Sequence, residues 1–175
     1  DQIEAMSLAD KIAIIDQGKL MQFGDPLGIY NDPDNRFVAN FVGSPKMNLL
    51  DGELSRENGL LNIKLEDGNS IVMSGKVAHD FETDSSTKNA SFGVRPHDIY
   101  FGNKRSNDDI QLSGTVDLME KVGPKRMAHI KFGNSTFVGV DEQDKLNIND
   151  EVKFCLPSDN CFAFNLDNGL RLGTR

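Results

Sequence analysis

Beyond Lys46 the chain is punctuated. Short runs of alternating apolar and polar residues are cut by Gly, Asn and Asp turns at intervals of about eight to twelve residues, the spacing of a meander of short strands. Leu61, Ile63 and Leu65 alternate, Asp67-Gly68 turns, and Ile71 and Met73 alternate again. Ile110, Leu112, Val116 and Leu118 share one parity, interrupted by Gly114. Ala128, Ile130 and Phe132 lead into the Gly133-Asn134 turn, and Phe137 to Val140 return. Val152, Phe154 and Leu156 reach Pro157-Ser158-Asp159-Asn160, after which Phe162, Phe164 and Leu166 are expected to fold back as a hairpin, with Asn168-Gly169 as the last turn. Such a pattern predicts a small β-barrel or sandwich. It falls into two halves, roughly 47–101 and 110–172, that share strand spacing rather than residues. The polar, aperiodic stretch 82–90 reads as a mobile loop.

The first 44 residues have a different character. Ile3, Met6 and Ala9 recur at helical spacing with Glu4 and Asp10 opposite, so 2–10 read as an amphipathic helix. Ile12 to Ile15 and Leu20 to Phe23 form two short strands around Gln17-Gly18, where glycine supplies the positive φ of a tight turn. Asp25-Pro26 is a helix start, and Asp32-Pro33 repeats the signal. The second helix places Phe37, Val38, Phe41 and Val42 on one stripe, and Gly43 and Pro45 end it. A strand pair with apolar Ile12–Ile15 and no further sheet to cover it is expected to self-associate or fray.

Chemistry-bearing motifs are scarce. There is no G-x-x-x-x-G-K-[ST] phosphate loop and no G-x-S-x-G elbow. His79, His97 and His129 are scattered. His97 near a turn and His129 on the outer face of a strand read as surface residues. Glu66-Asp67 and Asp108-Asp109 fall in turns, and 141–151 reads as a solvated acidic loop without calcium-site spacing. Cys155 and Cys161 lack a partner cluster for zinc and read as reduced core thiols, with a bridge across a hairpin as the alternative. A formal net charge of -8, with Lys121, Lys125 and Arg126 as the densest basic stretch, argues against nucleic acid as a partner. No apolar run approaches the ~20 residues of a membrane helix.

Three stretches resemble one family. Asp1 to Asp10 matches D-Q-x-E-A-M-x-L-A-D through Asp1, Gln2, Glu4, Ala5 and Met6. Gly18 to Pro26 matches G-x-x-x-Q-x-G-x-P. Phe37 to Asn48 matches F-V-A-x-F-I-G-S-P-x-M-N through Gly43, Ser44, Pro45, Met47 and Asn48, with Val42 for Ile. These resemble the end of the nucleotide-binding domain of ABC-transporter ATPases, in the carbohydrate-importer branch typified by the maltose-transporter ATPase. GVRPHDI at 93–99 is similar to the family's G-[IV]-R-P-E-D through Arg95 and Pro96, with His97 in place of Glu. Residues 162–172 resemble its closing F-D-x-x-T-G-x-x-L hairpin, with Asn165 and Asn168 departing.

The resemblance implies a mainly β chain: an OB-like (TOBE) β-barrel regulatory domain of two units over 45–175, preceded by a short α/β remnant of the nucleotide-binding domain over 1–44. It implies that the switch histidine, phosphate loop, signature motif and catalytic carboxylate would lie before Asp1. Such a piece is expected to hold no cofactor or metal and to catalyse nothing, ATP and Mg²⁺ belonging to the parent. The implied function is regulation and dimerisation of the ATPase subunit of an importer for sugars or polyol phosphates. The implied partners are a second copy of the chain, the membrane-spanning permease subunits and a cytosolic regulatory protein, at the inner face of the cell membrane. Phe162 and Phe164 are the candidates for the dimer contact, against the alternative that they are core residues of the last strand. A small-ligand or oxyanion effector module is the other reading.

Overall fold

The computed structural model describes residues 2–74 and 87–173. The N-terminal segment holds α1 (Gln2–Leu8), β1 (Ile12–Asp16), β2 (Lys19–Gly24), α2 (Pro26–Asn31) and α3 (Arg36–Phe41). Among the described residues, strands β1 and β2 pair only with each other, through a turn in which both Gln17 (φ 47°) and Gly18 (φ 78°) are left-handed. Asp25 caps α2, its carboxylate accepting the Gly28 N–H at 2.7 Å, with Pro26 at the first helical position. The second helix starts differently from the expectation. Asn35, not Asp32, caps α3, accepting the Val38 N–H at 2.9 Å, while Asp32 closes α2 by donating its N–H to the Gly28 carbonyl. Ile14, Ile29, Val38 and Val42 make a small core here. Of the Ile12–Ile15 run, Ile14 is buried and Ile15 exposed, as are Leu20, Phe23 and Leu27.

Among the described residues ten strands follow: β3 (Asn48–Glu57), β4 (Leu60–Leu65), β5 (Ser70–Met73), β6 (Asn89–Val94), β7 (Tyr100–Phe101), β8 (Ile110–Val122), β9 (Lys125–Phe132), β10 (Ser135–Val140), β11 (Glu151–Leu156) and β12 (Cys161–Asn165). They form two antiparallel five-stranded sheets, ordered β12-β6-β3-β4-β5 and β10-β9-β8-β11-β7. This is the expected mostly β, OB-like architecture behind a short α/β segment. The two sheets have one plan. A long strand (β3, β8) opens a three-strand meander, a fourth strand (β6, β11) pairs on its other side, and a fifth closes the edge. The fifth strands are exchanged: β7 follows β6 but joins the second sheet, and β12 follows β11 but joins the first. The expected β11–β12 hairpin is therefore absent, and Pro157 to Asn160 is a crossover between sheets. Each crossover is a single helical turn opened by a proline, Pro96 or Pro157, and the two meet where Asn160 Nδ2 donates to Asp98 Oδ1 at 2.5 Å.

The duplication shows at residue level once the strands are matched. Leu50-Asp51-Gly52-Glu53-Leu54 of β3 lies in the place of Leu112-Ser113-Gly114-Thr115-Val116 of β8. Both glycines have ordinary φ and are required by proximity: a Cβ on Gly52 would sit 2.4 Å from the Lys64 carbonyl oxygen, and one on Gly114 2.4 Å from that of Lys131. One core fills the space between the sheets, with Phe92, Phe137, Phe154, Ile63, Ile71 and Ile130 all fully buried. Asn48 ties the sheets together, donating to the Val94 and Val138 carbonyls and accepting the Val138 N–H at 2.7 Å. The parity expected along β8 fails at its far end. A bulge at Asp117 shifts the register, so Leu118 is 48% exposed and Met119 takes the inward place. Both cysteines are free and buried on different sheets. Of the expected 82–90 loop, 82–86 lie outside the described residues and 89–90 belong to β6.

The turns β4–β5 and β9–β10 also meet. Asp67 accepts the N–H of Asn134 at 2.6 Å and of Asn69 at 2.9 Å, and these bonds hold its carboxyl below the usual range. A folded-state value lower than the unfolded one contributes stability that is present above the unfolded carboxylate pKa, near ~3.9, and lost as pH falls through the folded value. Asp67→Asn is thus expected to lower the thermal unfolding midpoint at neutral pH. Melts repeated at falling pH should show the gap to wild type closing below about pH 4.

Candidate coupling site at Arg95

Arg95 follows β6 directly and begins the first crossover. Its side chain is directed into the N-terminal segment and is 2% exposed. Short helices leave their last carbonyls without intrahelical donors. Arg95 supplies donors to two helices at once. Nη2 donates to the Tyr30 carbonyl of α2 at 2.8 Å, and Nη1 donates to the Ala39 and Val42 carbonyls at the end of α3, at 3.1 and 2.6 Å. The guanidinium lies 4.0 Å from the centre of the Tyr30 ring. His97 stacks on the same tyrosine, with centroids 5.7 Å apart, and its Nδ1 lies 3.1 Å from the Tyr30 hydroxyl. Burial lowers the Arg95 pKa from its ordinary value, opposed by Tyr30 and Asp98, yet an arginine stays protonated throughout the physiological range. Burial likewise raises the Tyr30 phenol.

The sequence motifs converge here. Gly43 adopts φ 122°, and a Cβ there would come within 2.9 Å of both Arg95 Nη1 and the Tyr30 ring, so the glycine makes room for the clamp. Met47 packs with Ala39 of α3 against Phe162 and Phe164 of β12. Asn48 is the bridge between the sheets described above. A further set of bonds ties the segment to the β strands and the C-terminal turn. Arg36 donates its backbone N–H to Gly169 O and its side chain to Ser91 and Asp51, while Arg171 donates its N–H to Asp34 O and its guanidinium to Asp32.

Other expected site residues lie elsewhere. Phe162 and Phe164 are 8% and 0% exposed, because α3 and Met47 cover them. The expectation that they present an apolar surface is corrected: they are core residues of the last strand, the alternative weighed for them. Gln2, Glu4 and Ala5 are exposed on α1, Met6 packs against the small N-terminal core, and Asp1 lies outside the described residues. Ser44 is exposed and Pro45 half-buried, and neither touches the clamp through a hydrogen bond. His129, expected on an outer face, is half-buried with Nε2 3.1 Å from Glu120. Within the acidic 141–151 stretch, Asp141 is buried, accepting the N–H groups of Lys145 and Leu146. Sequence reasoning missed Tyr30, whose role depends on a residue 65 positions away.

Known proteins share this architecture. The MalK OB fold domain family matches residues 43–99, beginning at Gly43, and the TOBE domain family matches residues 92–164. The chain is 34% identical over 146 residues to the trehalose/maltose import ATP-binding protein MalK of Thermococcus litoralis, covering 79% of this chain and 37% of that protein. It is 37% identical over 133 residues to the alpha-glucoside transport ATP-binding protein AglK of Rhizobium meliloti, covering 75% and 34%. It is 31% identical over 180 residues to the xylose/arabinose import ATP-binding protein XacK of Haloferax volcanii, covering 100% and 45%. The chain therefore spans less than half the length of these curated relatives.

Proposed function

The chain belongs to the MalK-type family of sugar-import ATP-binding subunits, as their OB- and TOBE-containing C-terminal part, and we propose that it acts as the regulatory and dimer-coupling portion of such a subunit. The observation that carries this reading is the Arg95 clamp. A side chain rooted at the crossover between two sheets terminates two helices of the preceding segment, so displacement of that segment is passed directly to the β core. Two of the residues that assemble the clamp are ones the family motifs mark: Gly43 beside it, and Arg95 itself. The parent would hydrolyse ATP to drive uptake of a sugar or polyol phosphate through permease subunits at the inner face of the membrane. Among the described residues no helix is long and apolar enough to cross a membrane.

Phosphoryl transfer requires backbone amides around the phosphates, a lysine, a magnesium-holding acid and a positioned water. The chain has no phosphate-loop sequence from which to build them. The pure protein is expected to show no magnesium-dependent ATP turnover above background, and turnover that survives purification to homogeneity would overturn the reading. Sedimentation at rising concentration tests the dimer. A shift from monomer to dimer within the micromolar range supports it, and a monomer at high micromolar concentration counts against it.

A further inference from the structure

Asparagine followed by glycine occurs twice in the chain, at Asn58-Gly59 and at Asn168-Gly169. Such a pair has a chemistry of its own. A peptide nitrogen can attack the side-chain amide of the residue before it, and glycine, having no Cβ, lets the two groups approach most closely. Both pairs sit in turns with a left-handed glycine, at φ 77° and 74°. The fold treats them differently. Asn168 is tied down: its Oδ1 accepts the Leu170 N–H at 2.9 Å, and its own N–H donates to Asn165 Oδ1 at 3.4 Å. The nitrogen that would attack is also engaged. Gly169 N–H donates to the Asn165 carbonyl at 2.8 Å, and the Gly169 carbonyl accepts the Arg36 N–H at 2.8 Å. Bringing the two groups together there breaks these bonds.

Asn58 and Gly59 carry no such ties. They are the two loop residues of the β3–β4 hairpin, between the last paired residues Glu57 and Leu60. Asn58 is itself left-handed, at φ 52°, as a two-residue turn with positive φ at both positions requires. Both residues are exposed, and a Cβ on Gly59 would meet nothing within 4 Å. Among the described residues, neither the Asn58 side chain nor the Gly59 N–H has a hydrogen-bond partner in the protein. The surrounding tip, residues 55–60, is exposed throughout, and the core begins only at Leu61 and Ile63. Exposed tips open locally at far lower cost than core strands. The turn therefore reaches the geometry of attack without unfolding the sheet.

We propose that Asn58 is a self-modification site. The Gly59 nitrogen bonds to the Asn58 side-chain carbonyl carbon and gives its proton to solvent, and the side-chain nitrogen leaves as ammonia. Water then opens the cyclic imide at either carbonyl, giving an aspartyl or an isoaspartyl link. Either product adds one negative charge at the hairpin tip. The isoaspartyl form lengthens the backbone by one atom. Its free α-carboxylate is the substrate class of methyltransferases that esterify isoaspartyl residues, taking the methyl group from a sulfonium donor. The test is to age the folded chain in mildly alkaline buffer and to map its peptides by mass and by chromatography that separates the two products. The Asn58 peptide is expected to lose its amide at least about tenfold faster than the Asn168 peptide, whose two hydrogen bonds, from Leu170 N–H and from Gly169 N–H, must open first. In urea the two should convert at similar rates, because the difference lies in the fold. Asn58→Gln, whose longer side chain closes the ring less readily, should keep its amide and remove most of the methyl transfer from S-adenosylmethionine to the aged chain. The proposal is overturned if Asn58 keeps its amide in the folded chain while converting in urea, if Asn168 converts as fast in the folded chain, or if methyl acceptance is undiminished in Asn58→Gln.

Discussion

Arg95→Met is expected to remove about 3–5 kcal/mol, the loss typical of breaking a buried charged hydrogen-bond network. Methionine keeps the stem and its packing but strips the donors from the carbonyls of Tyr30, Ala39 and Val42. Those carbonyls end α2 and α3 and are left without partners. The N-terminal segment has few resources to absorb the loss. Its own core consists of Ile14, Ile29, Val38 and Val42, and a piece of roughly 40 residues seldom folds alone. Scanning calorimetry should therefore show one transition in the wild type and two in the variant, the N-terminal segment melting first. A single transition with an unchanged midpoint would mean that the Arg36 and Arg171 ties hold the segment and the clamp does not.

Gly52→Ala and Gly114→Ala should each cost about 2–3 kcal/mol in urea unfolding, at the upper end for overpacking, because the obstacle is a backbone carbonyl and not a flexible side chain. The two losses should match, since the glycines occupy the same place in the two sheets. Gly24→Ala is the control: its added methyl would meet only Ile29 at 3.6 Å, and the change should stay within about 0.5 kcal/mol. A neutral Gly114→Ala beside a costly Gly52→Ala would contradict the structural equivalence of the two units.

The strands themselves were legible because their signals are local. Alternation at Leu61, Ile63 and Leu65 and the Asp67-Gly68 turn reappear as β4 and its hairpin to β5. Sheet membership was not legible. Nothing in Pro157 to Asn160 distinguishes a hairpin turn from a crossover, because the difference lies in which distant strand receives Cys161 to Asn165. Leu118 misled for a related reason: one extra residue at Asp117 inverts every side chain beyond it. The duplication was visible only as spacing, since one plan requires glycine at two positions and leaves most other residues free. At the coupling site, Gly43, Met47, Asn48 and Arg95 were marked as motif residues, but why they belong together was hidden. Tyr30 completes the arrangement from a helix whose sequence shows only a capped start and an apolar face. For Phe162 and Phe164 the sequence left two readings open, because an apolar residue in an edge strand reads alike whether a helix covers it or not; α3 and Met47 cover them.

If Arg95 links the N-terminal segment to the crossover between sheets, loosening one end must loosen the other. Hydrogen–deuterium exchange of the wild type and Arg95→Met, followed peptide by peptide, measures this directly. Faster exchange in the variant is expected both at 26–42 and at the 96–101 crossover, with β3, β4 and β8 unchanged. Faster exchange confined to 26–42, with the crossover as protected as before, would contradict coupling through Arg95.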